Sequence, residues 1–151
     1  MNITRRRALT LSAGSMAFFM ASMHFSNANA TAEDTEKMVE EFSGGAKLTI
    51  GKIDLTTPEI AENGNTVPIS VEVDSPMNAD NFVESVAIFA DGNPNPEVIT
   101  FNFTALSGVA SAKTRIRLAK TQNVVAVAKM SDGSFRYTKN QVKVTIGGCG
   151  G

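Results

Sequence analysis

From residue 46 to the end of the chain, apolar residues recur at every second position. The stretch T-V-P-I-S-V-E-V-D (66–74) is the clearest case: Val67, Ile69, Val71 and Val73 fall on one face, with Pro68, Ser70 and Glu72 on the other. Alternation of this kind is the mark of a strand with one buried face. Pro68 has no N–H to donate, so this strand, or at least its start, is expected at a sheet edge. The same period runs through A-K-L-T-I and K-I-D-L around Gly51, F-V-E-S-V-A-I-F-A (82–90) and V-I-T-F-N-F (98–103). It continues in A-S-A-K-T-R-I-R-L (110–118) and N-V-V-A-V-A-K-M (123–130), with F-R-Y-T (135–138) closing a hairpin. Q-V-K-V-T-I (141–146) reads as the last strand, with Val142, Val144 and Ile146 inward. E-N-G-N (62–65), D-G-N-P-N-P (91–96) and S-D-G-S (131–134) are turns by their Gly, Pro, Asn and Asp content, and P-E-I-A (58–61) is a short connection. About seven strands at spacings of roughly ten residues predict an all-β, immunoglobulin-like β-sandwich, without the Cys and Trp markers of antibody domains.

Before residue 46 the pattern is different. T-E-K-M-V-E-E-F (35–42) places Met38, Val39 and Phe42 on one helical face, and Gly44-Gly45 stops the run. A short N-terminal helix packed as a flap on the main body is expected. The first thirty residues read as an export signal: Arg5, Arg6 and Arg7, an interrupted apolar run from Leu9 to Phe25, then Ala28-Asn29-Ala30 as a small-x-small cleavage site. Cleavage is expected after Ala30. The apolar run is too short and too broken to cross about 30 Å of hydrocarbon, so no stable membrane anchor is expected. T-R-R-R-A-L (4–9) is similar to a twin-arginine signal, with Arg5 and Arg6 as the pair, and departs from it at Ala8. The expected organisation is therefore a cleaved signal (1–30), a helical segment (31–45), a sandwich (46–146) and a flexible tail (147–151), in the periplasm.

Removal of the signal takes away His24, the chain's one histidine, and leaves Cys149 as its one cysteine. Ser-His-Asp, Cys-His and histidine-ligated metal chemistry are then excluded within the processed chain, as is an internal disulfide. No cofactor or metal is expected. Charge is lopsided: residues 31–97 carry fourteen acidic and three basic side chains, residues 98–151 one acidic and eight basic. No basic run suggests nucleic acid. Lys113, Arg115 and Arg117 alternate on one strand face, by default a solvated one and otherwise a docking or anion-attracting patch. Asp74 to Asp80 lacks the spacing of a calcium loop, and Phe82, Phe89, Phe101 and Phe103 are expected in the core.

The chemistry that remains is at the end of the chain, VKVTIGGCGG (142–151). Gly147, Gly148, Gly150 and Gly151 surround Cys149 with backbone of low bulk and wide conformational range. From Ile146 to Cys149 the chain can extend roughly 10 Å. An ordinary thiol is only a few per cent thiolate at neutral pH, and nothing nearby in sequence activates this one. The pattern suits a swinging arm that carries a group other proteins load and unload. Ubiquitin-like carriers also end in Gly-Gly, but their β-grasp fold and ATP-dependent activation do not fit. A structural immunoglobulin-like module that dimerises through a Cys149 disulfide is the alternative. An enzyme acting alone would need a base, a metal cluster or a nucleophile pair, and none is visible.

These pieces together resemble one family. The twin-arginine-like start, the E-N-G-N-T-V-P-I-S-V-E-V-D-S-P-M stretch (62–77) and the terminal V-K-V-T-I-G-G-C-G-G are similar to SoxY, a sulfur-carrier subunit of bacterial periplasmic thiosulfate oxidation. The resemblance implies an immunoglobulin-like carrier that is not itself catalytic. It implies a SoxZ partner in a SoxYZ heterodimer, and Cys149 as the point of covalent sulfur attachment. It further implies transient docking to the haem-containing SoxAX, to the metal-dependent hydrolase SoxB and, where present, to the molybdenum-haem SoxCD. On that reading Cys149 carries a thiosulfate-derived S-thiosulfonate, and the flanking glycines are the arm.

Overall fold

The structure is a computed structural model that describes residues 31–147. The expected export signal (1–30) and the tail residues Gly148, Cys149, Gly150 and Gly151 lie outside the described residues. The chain begins with helix α1 (Ala32–Ser43) and continues through β1 (Leu48–Ile50), β2 (Ile53–Thr56), β3 (Ile60–Ala61), β4 (Val67–Val73) and β5 (Val83–Ala90). It ends with β6 (Glu97–Asn102), a 3-10 turn (Ala105–Ser107), β7 (Ala110–Ile116), β8 (Gln122–Met130) and β9 (Phe135–Val144). Two sheets face each other: a larger one in the order β1-β9-β8-β5-β6, with β3 also on β9, and a smaller one in the order β2-β4-β7. The fold is the all-β sandwich that the alternation predicts.

The inward positions are those of the period-two pattern. Val67, Ile69, Val71 and Val73 of β4 meet Val86, Ile88, Val124, Ala126, Ala128 and Val142 in one core. The two central strands of the larger sheet are apolar on both faces, because α1 covers the second one. Val39 packs with Ala87, Phe89, Val125, Val127 and Phe135, joined by Met38, Phe42 and Leu48. Phe89 therefore lies beneath the helix, while Phe82, Phe101 and Phe103 border the main core, half buried. The helix starts at a capping box, with the Thr31 hydroxyl accepting from the Asp34 N–H and the Asp34 carboxylate accepting from the Thr31 N–H. It stops where Gly44 takes a left-handed conformation (φ 62°) that other residues resist.

Five details depart from the sequence reading. β1 and β2, on either side of Gly51, belong to different sheets: the chain crosses at Gly51 (φ 99°) and Lys52 (φ 59°). P-E-I-A is not only a connection, since Ile60 and Ala61 pair in parallel with Lys143 and Val144. F-R-Y-T and Q-V-K-V-T-I are one strand rather than two, held along most of its length by β8, from Lys129↔Phe135 to Gln122↔Val142. That strand ends at Val144, and Ile146, expected inward, is 69% exposed. β4 is the central strand of its sheet, yet β2 pairs only with Ser70 to Val73, so the start of β4, where Pro68 sits, is uncovered on that side. The proline reading holds for the start and not for the strand.

β1 and β3 share one edge of β9, β1 at its beginning and β3 at its end. Between them the chain leaves to build β2. Asn140 fills the gap, its amide donating to the Leu55 carbonyl and to the Thr57 hydroxyl. β9 is thus fixed on both edges almost to its end, where the tail begins.

Candidate functional site

The tail leaves the sandwich at the end of β9, and hydrogen bonds to three neighbouring segments hold its first residues. Val144 N–H donates to the Thr121 hydroxyl at 2.9 Å. Thr145 N–H donates to the Ala61 carbonyl (3.0 Å), and its hydroxyl donates to the Glu62 carbonyl (2.9 Å). The Ile146 carbonyl accepts from Gly64 N–H at 2.8 Å, and the Gly64 carbonyl in turn accepts from Leu118 N–H at 2.8 Å. The backbone at 144–146 is therefore paired although the strand itself has ended.

Beneath these contacts lies a buried polar pair. Asn93 is 2% exposed and Gln122 4%. The Asn93 side-chain oxygen accepts from Ala119 N–H and from the Gln122 amide, both at 2.9 Å, and its amide donates to the Arg117 carbonyl at 2.9 Å. Gln122 accepts from Gly92 N–H (2.6 Å) and donates to the Lys120 carbonyl (3.0 Å). Buried amides of this kind are tolerated only when their groups are paired. Among the described residues no buried side-chain polar atom lacks a partner. Asp91 joins from the outside, its carboxylate accepting from the backbone and side chain of Asn123. Together these bonds fix the turn 91–96 and the segment 117–121 against each other.

Of the residues singled out from sequence, the structure places Gly147 against Ala119. Cys149, Gly148, Gly150 and Gly151, like Arg5, Arg6, Ala28 and Ala30, lie outside the described residues. Sequence reasoning did not find Asn93, Gln122 or Gly64. D-G-N-P-N-P and E-N-G-N read as turns, which they are, and pattern alone gives no sign that two turns meet under the chain's exit. Lys113 and Arg115 on β7, an edge strand, and Arg117 just past its end are exposed, and neither of the two ion pairs among the described residues involves them. Exposed charge on an edge strand discourages pairing with another chain.

The sequence profile described as "Sulfur oxidation protein SoxY" matches residues 39–149, nearly the whole described body together with Cys149. Among solved structures, the chain is similar to the sulfur carrier protein SoxY from Chlorobium limicola f thiosulfatophilum. The two are 27% identical, with a TM-score of 0.62, over 75% of this chain and 93% of that one. It is also similar to a superoxide reductase (neelaredoxin) from Ignicoccus hospitalis, at 16% identity and a TM-score of 0.55, over 80% of this chain and 98% of that one. A putative superoxide reductase from Thermotoga maritima gives 17% identity and a TM-score of 0.53, over 68% and 89%. These last two likenesses concern the fold alone. No curated protein matches. A sandwich with a thiol-bearing glycine tail after its last strand, matched through that thiol, has a carrier role in sulfur oxidation and works within a Sox system. The chain belongs to the SoxY family.

Proposed function

We propose that this protein is a periplasmic carrier that holds thiosulfate-derived sulfur covalently on Cys149 and presents it to partner enzymes. The observation that carries the reading is the family match, which runs through Cys149 and so includes the one thiol of the chain. The body supports it. The tail leaves the sandwich two residues before that thiol, at a point held by hydrogen bonds to β3, the 62–65 turn and the 117–121 segment. The helix cap begins at Thr31, so cleavage after Ala30 would keep the capping box.

In this reading the thiol and thiosulfate are joined oxidatively. The Cys149 S–H bond and a pair of electrons are given up, a sulfur–sulfur bond to the sulfane end of thiosulfate forms, and one proton is released. The two electrons pass to a haem-containing partner. Water then cleaves the bond between the outer sulfur and the sulfonate, releasing sulfate and two protons and leaving a persulfide anion on the cysteine. The catalytic groups for both steps belong to the partners: SoxAX for the first, SoxB for the second and, where present, SoxCD for oxidation of the remaining sulfur. SoxZ is the proposed standing partner in a SoxYZ heterodimer, and this chain supplies the handle. Holding the intermediate on one thiol keeps its effective concentration high at each successive site.

The test is intact mass after incubating the heterodimer with thiosulfate and the haem partner. A thiosulfonate adduct on the peptide containing Cys149 is expected, and Cys149→Ala should lower thiosulfate-driven turnover at least a hundredfold with the melting temperature unchanged. Full turnover in that variant would refute the reading. A disulfide-linked homodimer as the sole periplasmic species on non-reducing gels, with no adduct, would instead favour a structural module.

A further inference from the structure

We infer that Gly147 is the fixed seat from which the tail departs, not part of the swinging arm. The inference rests on the carrier reading for its functional meaning and on geometry for its content. An ideal Cβ built on Gly147 would fall well inside contact distance of the Ala119 carbonyl oxygen, with the Ala119 carbonyl carbon 3.3 Å away. The backbone of Gly147 does not occupy the left-handed region. Glycine is therefore required here by close approach of two backbones and not by conformation.

The obstacle cannot move aside as the end of a long side chain would. It is main chain, and the segment that carries it is tied down at four places. Ala119 N–H and the Arg117 carbonyl bond to Asn93, the Lys120 carbonyl bonds to Gln122, and Leu118 N–H bonds to Gly64. Gly64 closes the circuit by donating to the Ile146 carbonyl, immediately before the seat. The buried Asn93–Gln122 pair acts through Ala119: these two amides are positioning residues for the place where the tail begins.

The seat alters what the tail can do. Counted from Gly147, two residues lead to Cys149, a reach of about 7 Å, in place of roughly 10 Å counted from Ile146. A partner enzyme must then bring the mouth of its site close to Ala119 and Gly64. The direction from which the thiol arrives is set by the body rather than by chance.

Two measurements on the heterodimer test this. Backbone nitrogen-15 relaxation should give Gly147 an order parameter near that of a strand, about 0.85. A value below about 0.6 at Gly147 would overturn the seat, whatever the cargo chemistry. In turnover with thiosulfate, Gly147→Ala should lower kcat/KM for the carrier about tenfold, with kcat at saturating carrier within twofold of wild type. An unchanged kcat/KM, or a loss in kcat alone, would overturn the positioning role. Failure of the carrier reading is distinguishable, since it would appear as retained turnover in Cys149→Ala while the high order parameter at Gly147 persisted.

Discussion

The two ends of the described chain are attached to the sandwich in opposite ways. Helix α1 is held by apolar side chains: Val39, Met38 and Phe42 lie on Phe89, Val125, Val127 and Phe135, with the Phe42 ring edge-on to Phe89 and Phe135 at 6.2 and 6.1 Å. The exit of the tail is held by hydrogen bonds, some between main-chain groups and more with a side chain of Asn93, Gln122, Thr121 or Thr145 at one end. Apolar burial is non-directional and scales with area, so it covers a face without registering a point on it. Hydrogen bonds fail beyond a few tenths of an ångström and a few tens of degrees, so they fix a point. A lid needs the first kind of attachment. A pivot needs the second.

The comparison is broken most forcefully beneath the helix. Phe89 is 2% exposed and touches α1 from below. Phe89→Ala should cost about 3–5 kcal/mol of stability, as large-to-small changes in cores do, measured by urea unfolding. Sulfur loading per folded molecule should be unchanged, because the hydrogen bonds that hold residues 144–146 come from Ala61, Glu62, Gly64 and Thr121 and not from the helix. A loss of loading in proportion to the helix's loosening would mean that lid and pivot are coupled.

The complementary change is smaller in energy and larger in effect on delivery. Asn93→Ala leaves the Ala119 N–H and the Arg117 carbonyl without their partner, at roughly 1–3 kcal/mol for each group left buried and unpaired, for a total of about 3 kcal/mol. Here kcat/KM should fall with the seat, about as far as in Gly147→Ala, and the double variant should lose little more than either alone. Independent, multiplying losses would show that Asn93 matters for stability and not for the position of the tail.

The same distinction explains what could be read from the sequence. Val67, Ile69, Val71 and Val73 announce their strand because burial of one face imposes a period of two, and Met38, Val39 and Phe42 announce their helix for the same reason. Cys149 was legible as chemistry because it stands alone among glycines. The seat was not legible. Gly147 looks like the other glycines of the tail, and what makes it a seat is a carbonyl 28 positions earlier in the chain. Asn93 and Gln122 read as ordinary polar residues in a turn and at a strand start, since pattern records which face a residue takes and not which partner it finds. Ile146 was misplaced for a related reason: alternation continues past Val144, while the ladder stops where the chain turns to meet Gly64 and Ala61.

The polar cap of the helix's first turn should give the smallest effect. The Asp34 carboxyl is held below the usual carboxylate range, first by the hydrogen bond from Thr31 N–H and then by that from the Thr31 hydroxyl, with Lys37 at 3.8 Å adding a little. A folded-state pKa below the unfolded one means that the unfolded chain binds this proton more readily. The stabilisation is therefore complete above the unfolded carboxylate value, near 3.9, and disappears as the pH falls through the lower folded value. Asp34→Asn should melt slightly below wild type at pH 7, and the two curves should converge as the pH falls through the lowered folded value. Raising the salt concentration should shrink the gap only in part, since the Lys37 attraction is screened while the short bonds from Thr31 are not. A gap that persists unchanged in acid would mean that the capping geometry, and not the charge, is what Asp34 contributes, leaving the lid with no pH-dependent attachment at this turn.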